Sequence, residues 1–195
     1  MVDFPPLAPS AGWFAIFIEK LFAGYTKEKA VETANNLTLD STKEFGRFTL
    51  FSPQQEPITL SMAVEGGGRQ LRSFNKLESL NLSDHGDWRK IHLRAIEASL
   101  GRKPYYRYFQ SDLENIYKDR NLTKLKDFNT AIFEDICSFL MGNIKPQEVS
   151  AFYVNPVLVE RGREISDSIR PEISVLQALA THGRETLIGI LAMNA

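Results

Sequence analysis

The chain has 195 residues, of which 43% are hydrophobic and 24% charged, proportions that suit a soluble globular protein and exclude a disordered or fibrous one. Its 23 lysines and arginines are balanced by 24 aspartates and glutamates, so net charge gives no support for binding to nucleic acid or to an anionic membrane. The length suits a single domain over residues 1–195.

We expect no secretion signal at the N-terminus, because the start Met1-Val-Asp-Phe-Pro-Pro carries no basic residue. The apolar run over 13–22 is interrupted by Glu19 and Lys20. At about ten residues it is also half as long as the roughly 20 that a membrane-spanning helix needs. We therefore expect a cytoplasmic protein that does not insert into a membrane.

The first half is predicted to hold a helix and a β-hairpin. Ser10 is placed to cap a helix over 11–23, in which apolar residues recur at spacings of three and four. Residues 45–52 and 57–64 alternate apolar and polar side chains, which indicates two neighbouring strands. A glycine-rich loop follows over 66–78 and matches no phosphate-binding motif.

The second half is predicted to be mostly helical. Periodic apolar residues predict helices over about 88–101, 111–117, 123–142, 171–181 and 185–193, and a short strand is predicted over 151–156. Because strands and helices are interspersed, we predict an α/β fold with a small mixed sheet covered by helices and a helix-rich C-terminal half.

The densest group of chemically useful side chains comprises Trp88, Arg89 and His92. Their spacing places them close together on one helix, because residues three and four apart are neighbours on a helix surface. Such a histidine can carry a proton near neutral pH, and the arginine can hold a phosphate or carboxylate. The alternative is structural, with Trp88 in the core, Arg89 in an ion pair and His92 hydrogen-bonded internally.

Cations alternate with aromatic residues over 101–109, a segment that includes Tyr105 and Tyr106. This mixture can recognise a nucleotide or a sugar by stacking and phosphate contacts. The alternative is a solvated face whose aromatic rings fill the core.

Metal and cofactor sites are not predicted. Cys137 is the only cysteine, and the sequence has neither a Cys-x-x-Cys nor a His-x-x-x-His motif. Cys137 lies on or beside the apolar stripe of its helix, where we expect an inert buried thiol.

The segment Trp-Arg-Lys-Ile-His at 88–92, followed by Pro-Tyr-Tyr at 104–106, resembles the WbqC-like protein family, which has Trp-Arg-x-x-His on a helix and then Pro-Tyr-Phe or similar. Leu-Lys-Asp-Phe-Asn, ending at Asn129, is similar to the family's next helix. Looser similarity at 7–9, 58–67 and 173–183 extends the resemblance over most of the chain. Two departures are Gln177, where an aspartate is usual, and a basic segment reduced to Lys43 and Arg47.

The resemblance implies a bacterial protein linked to O-antigen and other surface-polysaccharide gene clusters, with an aminoacyl or similar group-transfer role. On that basis we expect a transferase acting on a small-molecule substrate such as a sugar nucleotide. The roles we assign are His92 as general base, Arg89 and Arg47 on an anionic donor, and Trp88 with Tyr105 or Tyr106 in stacking. Asn129, in the matched motif, is a further candidate for substrate binding.

Two alternatives stay open. The same helix can hold a sugar nucleotide or a partner without catalysis, as a binding or scaffold protein, or the aromatic surface can be the interface of a homodimer. The surroundings of His92 distinguish these hypotheses, since a catalytic residue needs access to a cleft and a structural one does not.

Overall fold

The computed structural model describes residues 2–39, 42–72, 74–142, 152 and 155–193. These residues form eight α-helices, two β-strands and several short 3₁₀ turns. The helices are α1 (Ala11–Phe22), α2 (Lys27–Thr38), α3 (Trp88–Leu100), α4 (Gln110–Lys118), α5 (Leu125–Met141), α6 (Pro156–Ser166), α7 (Val175–His182) and α8 (Glu185–Ala192). The strands are β1 (Arg47–Phe51) and β2 (Pro57–Ser61). The predicted fold class, a small sheet covered by helices with a helix-rich C-terminal half, is confirmed.

The sheet of the described residues is the predicted hairpin, with its two strands antiparallel. Arg47 lies opposite Ser61 at one end, and Phe51 lies opposite Pro57 next to the turn. Gln177 of α7 continues the pairing on the outer side of β1: its Oε1 accepts from the Phe51 amide at 2.8 Å and its Nε2 donates to the Phe51 carbonyl at 3.4 Å. The sheet is therefore held at its edge by a side chain rather than by a third strand.

The N-terminal helix forms as predicted, and a second helix that we did not predict follows it. Ser10 caps α1 by accepting from the Trp13 amide at 3.2 Å. In α2 the buried positions are small or polar, chiefly Ala30, Val31 and Ala34. This narrow apolar stripe is too weak a periodic signal to predict a helix, although Thr26 is an N-cap of the expected type.

The middle helices pack against the hairpin and against each other. α3 begins after Asp87, which adopts left-handed backbone angles with φ at 48°. α3 contacts both strands, and α4 packs on α3 and α5. α5 buries a long apolar stripe that contributes Phe128, Ile132, Ile136 and Leu140 to the main core.

The C-terminal elements differ from the predictions in two places. The helix expected from Pro171 begins at Val175, because Ser174 supplies the capping oxygen to the Leu176 amide at 3.3 Å. Residues 151, 153 and 154 of the predicted strand over 151–156 lie outside the described residues. The remainder does not extend as a strand, since Asn155 caps α6 and Pro156 occupies its first turn.

Residues 2–11 are fixed to two parts of the fold, at Glu44 and at 173–174, and the part over 6–10 forms one wall of a cleft described below. The Leu7 amide donates to the Glu44 carbonyl at 3.1 Å, the Ala11 amide donates to the Ile173 carbonyl at 2.8 Å, and Ser10 pairs with Ser174 in an isolated bridge. Among the described helices, none combines the length and the apolar character needed to cross a bilayer.

Candidate functional site

The three α3 side chains singled out by their spacing lie together, and they lie inside the protein. Trp88 and Arg89 are each 5% exposed, and His92 is 1% exposed. The Trp88 and His92 rings are 5.1 Å apart between centroids, and the Arg89 guanidinium is 5.0 Å from the Trp88 ring. The cluster therefore packs in the core rather than opening into a hollow.

Both ring nitrogens of His92 are occupied. Nε2 donates to the Ser61 carbonyl of β2 at 3.0 Å, because a carbonyl oxygen can only accept. Nδ1 is then unprotonated and accepts from the Tyr117 hydroxyl of α4 at 3.2 Å. Burial lowers the pKa of His92 from its ordinary 6.5 to about 4, so the ring is neutral at pH 7. This geometry favours a role in holding α3 to β2 and α4, and the general-base role of His92 stays a prediction.

Arg89 is engaged by backbone carbonyls where α4 ends. Its guanidinium donates to the carbonyls of Tyr117 at 3.2 Å, Asp119 at 3.1 Å and Leu122 at 2.6 Å. Carbonyls at a helix C-terminus have no partner within the helix, so a buried guanidinium satisfies them well. This geometry favours a role of Arg89 in fixing the turn after α4, and its role in holding an anionic donor stays a prediction.

The other aromatic candidates divide between core and surface. Trp88 donates from Nε1 to the Ser83 carbonyl at 2.7 Å, as a core residue does when it satisfies its one polar atom. Tyr106 is 3% exposed, and burial together with the negative charge of Glu97 raises the pKa of its hydroxyl well above its ordinary value. Tyr105 is 38% exposed and lies against Gly183, after α7. Of the aromatic candidates, Tyr105 is therefore the one whose ring reaches solvent.

Arg47 lies in a cleft of about 70 Å³, which we call the Arg47 cleft. The cleft is lined by the segment over 6–10, the first residues of β1, and the side chains of Glu44 and Glu172, among others. The Arg47 side chain is 39% exposed and pairs with Glu44 at 3.3 Å. An exposed guanidinium of this kind can exchange its carboxylate partner for a phosphate or carboxylate of a ligand.

The backbone that forms one wall of the Arg47 cleft is strained. Ala8 has φ at 44°, in the left-handed region that residues with a side chain rarely adopt. Hydrogen bonds to two successive carbonyls hold it there: the Ser174 hydroxyl donates to the Ala8 carbonyl at 3.2 Å, and the Val175 amide donates to the Pro9 carbonyl at 2.8 Å. Strain that the surrounding structure maintains is most often found at binding and catalytic sites.

Asn129 supports the Arg47 cleft from below rather than lining it. The side chain is fully buried, and its Nδ2 donates to the carbonyls of Pro5 at 3.1 Å and Phe45 at 2.8 Å. Pro5 precedes the cleft wall and Phe45 lies between Glu44 and Arg47, so this one amide ties together the two segments that face each other. This geometry favours a positioning role for Asn129 toward the cleft, and its role in substrate binding stays a prediction.

Residues 39–169 match the sequence profile of the WbqC-like protein family. The chain belongs to this family. The match covers two of the segments on which the resemblance rests most, the Trp-Arg-x-x-His helix and the motif that ends at Asn129. No curated protein and no solved structure matches the chain. A WbqC-like domain over the whole of 1–195 stays a prediction, since the similar segments at 7–9 and 173–183 lie outside the match.

The spacing of residues could not have indicated the Arg47 cleft as a whole, although Glu44 lies only three residues before Arg47. Ala8, Glu44 and Glu172 come from three distant parts of the sequence and meet only in the folded chain. Within the described ranges, no three His, Cys, Asp or Glu side chains gather as metal ligands would. Cys137 is buried as expected, and burial raises the pKa of its thiol to about 12.

Proposed function

We propose that the protein binds a sugar nucleotide, or a similarly anionic carbohydrate precursor, at the Arg47 cleft and transfers a group in the cytoplasmic assembly of bacterial surface polysaccharide. The observation that carries the proposal is the exposed Arg47 guanidinium, which shares a cleft with Glu44 and Glu172 beside the strained backbone of Ala8. Membership of the WbqC-like family supports the polysaccharide context.

The size of the Arg47 cleft limits what part of the ligand it holds. Sites that enclose a whole small molecule have volumes of about 300–1000 Å³. A cleft of about 70 Å³ accommodates a single phosphate or carboxylate group, with the rest of the ligand lying across the surface. Arg47 would bind that group by two parallel hydrogen bonds, which fix its orientation as well as its charge.

Binding of an anion at Arg47 frees Glu44 from its ion pair. The released carboxylate can then take the proton from an acceptor hydroxyl as that oxygen bonds to the transferred group. The electron pair of the broken bond leaves with the departing group, whose negative charge Arg47 neutralises. General-base assistance of this kind contributes a factor of about 10²–10⁴ in rate. The cleft therefore supplies both groups that a transfer reaction needs without His92.

A binding or scaffold protein is the second candidate, and the burial of His92 is the observation that favours it. Both ring nitrogens of His92 are hydrogen-bonded inside the protein, which favours an α3 cluster that does not act on a substrate. In this case the Arg47 cleft holds its ligand without turnover. The exposed pair Tyr105 and Tyr108, with ring centroids 6.2 Å apart, would then offer apolar surface to a second copy.

Thermal unfolding with and without UDP-glucose, UDP-N-acetylglucosamine and UDP tests the proposed binding. A ligand present at 100 times its dissociation constant adds about 2.7 kcal/mol to the free energy of unfolding. We expect R47A to abolish this stabilisation and R161A to retain it, because Arg161 is also exposed and pairs with a glutamate three residues away. Failure of all three ligands to stabilise the wild-type protein refutes the proposal.

Turnover separates the two candidate functions. In the transferase, E44Q keeps the affinity for the nucleotide and loses most of the rate, since the amide cannot accept the proton. In the binding protein, wild type and E44Q bind alike and neither consumes the ligand.

A further inference from the structure

Two hydrogen-bond donors in the lining of the Arg47 cleft have no acceptor among the described residues. One is the backbone N–H of Thr49 on β1, and the other is the hydroxyl of Ser10 at the start of α1. Both residues are only half-buried, so both keep surface that a ligand can reach. They come from the two segments that face each other across the cleft, and together with Arg47 they make it richer in donors than the guanidinium alone.

The pairing of the hairpin determines where the Thr49 amide points. In an antiparallel pair, residues bonded to the partner strand alternate with residues whose N–H and C=O point out of the sheet. The Ser52 amide donates to the Glu56 carbonyl at 2.9 Å, so the even-numbered residues of β1 point inward and the odd-numbered ones outward. Of the outward residues, Phe51 is bonded by the Gln177 side chain, whereas the N–H and C=O of Thr49 bond no described residue.

The Ser10 hydroxyl is engaged as an acceptor and not as a donor. Its oxygen accepts from the Trp13 amide at 3.2 Å, as an N-cap does. A hydroxyl also has one proton to donate, and none of the described residues accepts it. A group in the cleft can therefore receive this proton without disturbing the cap of α1.

Three donors from three directions suit a phosphate better than a carboxylate. A cleft of about 70 Å³ holds one small group, so a group bound by Arg47 also lies near Thr49 and Ser10. The guanidinium fork bonds two oxygens, which are all that a carboxylate has, whereas a phosphate group has a third oxygen for the other donors. The outward C=O of Thr49 is an acceptor for a sugar hydroxyl next to the phosphate.

The two carboxylates of the cleft do not prevent anion binding. Glu44 is paired with Arg47 at 3.3 Å, and Glu172 is paired with Arg170 at 3.8 Å. Their side chains are 40% and 60% exposed, so water screens their charge. When an anion displaces Glu44, the Glu44 side chain can turn into solvent.

We propose that the Arg47 cleft is specific for the phosphate of a sugar phosphate, which accepts from the Arg47 guanidinium, the Thr49 amide and the Ser10 hydroxyl. This inference rests on the proposed function and deepens it, because it excludes a carboxylate as the bound group and adds two binding residues. Calorimetry with glucose 1-phosphate and glucuronate tests the specificity. We expect wild type to bind glucose 1-phosphate at least about tenfold more tightly, and this preference to shrink when either added donor is removed.

The variant T49P removes the backbone donor. Proline lacks the N–H and is tolerated in a strand where that N–H points out of the sheet. T59P is the matched control, since Thr59 lies opposite Thr49 and points outward at the other edge of the hairpin. T49P should weaken binding of glucose 1-phosphate about tenfold and T59P should leave it unchanged, because a hydrogen bond to a charged group is lost only in T49P.

The variant S10G removes the hydroxyl and keeps a residue that can cap a helix, at a cost of only a few tenths of a kcal/mol. T26G is the matched control, because Thr26 caps α2 in the same way and does not line the cleft. S10G should weaken binding about tenfold and T26G should not.

Amide hydrogen exchange gives a measurement that needs no variant. The Thr49 amide should exchange rapidly in the ligand-free protein and slowly with glucose 1-phosphate, while the Phe51 amide, which Gln177 bonds, stays slow in both.

Three results would overturn the inference: equal affinity for glucuronate and glucose 1-phosphate, wild-type affinity in both S10G and T49P, or slow exchange of the Thr49 amide without ligand. None of them refutes the proposed function if UDP-sugars stabilise the wild type and R47A abolishes that effect. Conversely, if UDP-sugars do not bind but glucose 1-phosphate binds through Ser10 and Thr49, the phosphate site stands and the nucleotide is excluded.

Discussion

Replacing His92 by alanine tests the structural role of the buried α3 cluster most directly. H92A removes two hydrogen bonds and leaves the Ser61 carbonyl and the Tyr117 hydroxyl without their partner. Each buried group left unpaired costs about 1–3 kcal/mol, and the lost ring leaves a cavity between α3 and β2. We therefore expect the free energy of unfolding to fall by about 3–5 kcal/mol, a large part of the 5–15 kcal/mol that is typical of a folded protein.

The assay is urea unfolding at pH 7.5, followed by circular dichroism and by tryptophan fluorescence. Trp88 lies against His92, so its emission reports on the same region. H85A is the matched control, because His85 is exposed and an exposed substitution changes stability by about 0.5 kcal/mol or less.

The general-base hypothesis for His92 makes the opposite prediction for H92A. If His92 is a general base, H92A should unfold within about 1 kcal/mol of wild type and lose about 10²–10⁴ in turnover. That pair of results would refute the structural role and restore the role that the sequence predicts.

The remaining predictions concern pH, Arg89 and Asn129. The folded-state pKa of His92 is lowered to about 4 from the 6.5 of the unfolded chain, so the unfolded state binds the proton more readily. The contribution of the neutral ring to the free energy of unfolding is therefore complete above pH 6.5, and it falls by about 3 kcal/mol as the pH drops to 4. In urea titrations H92Q should lack this decline, and a slope equal to that of wild type would contradict the assignment. R89K should lower stability by about 2–3 kcal/mol, because an ammonium cannot reach the three carbonyls that the guanidinium fork bonds. R120K, at an exposed arginine paired with Asp84, is the control and should change stability by about 0.5 kcal/mol or less. N129A should lower the free energy of unfolding by about 2–4 kcal/mol and also weaken UDP binding, since it frees both segments of the Arg47 cleft. An unchanged affinity for UDP in calorimetry would refute the positioning role of Asn129.

Local patterns in the sequence were sufficient for much of the fold. The alternation over 45–52 and 57–64 predicts the hairpin, and the spacing of apolar residues predicts α1, α3 and α5. The second helix was missed because its buried face consists of small side chains such as Ala30 and Ala34. Small residues contribute little to a periodic signal even where they pack completely.

The candidate site could be predicted only in part, for a related reason. Helical spacing establishes that Trp88, Arg89 and His92 share one side of α3, but it does not determine whether that side faces solvent or another element. The partners of His92 lie 25 and 31 residues away in sequence, and only the folded chain brings them together.

The side-chain amide of Gln177 gives the outer edge of β1 a partner that a carboxylate could not fully replace. An amide side chain can donate and accept at once, so it bonds to both the N–H and the C=O of Phe51, as the peptide group of a neighbouring strand would. A carboxylate could satisfy only the N–H. A hairpin of two strands is marginal by itself in water, and an open strand edge invites pairing with another molecule. One glutamine thus occupies the docking position that a foreign strand would otherwise use at the turn end of β1.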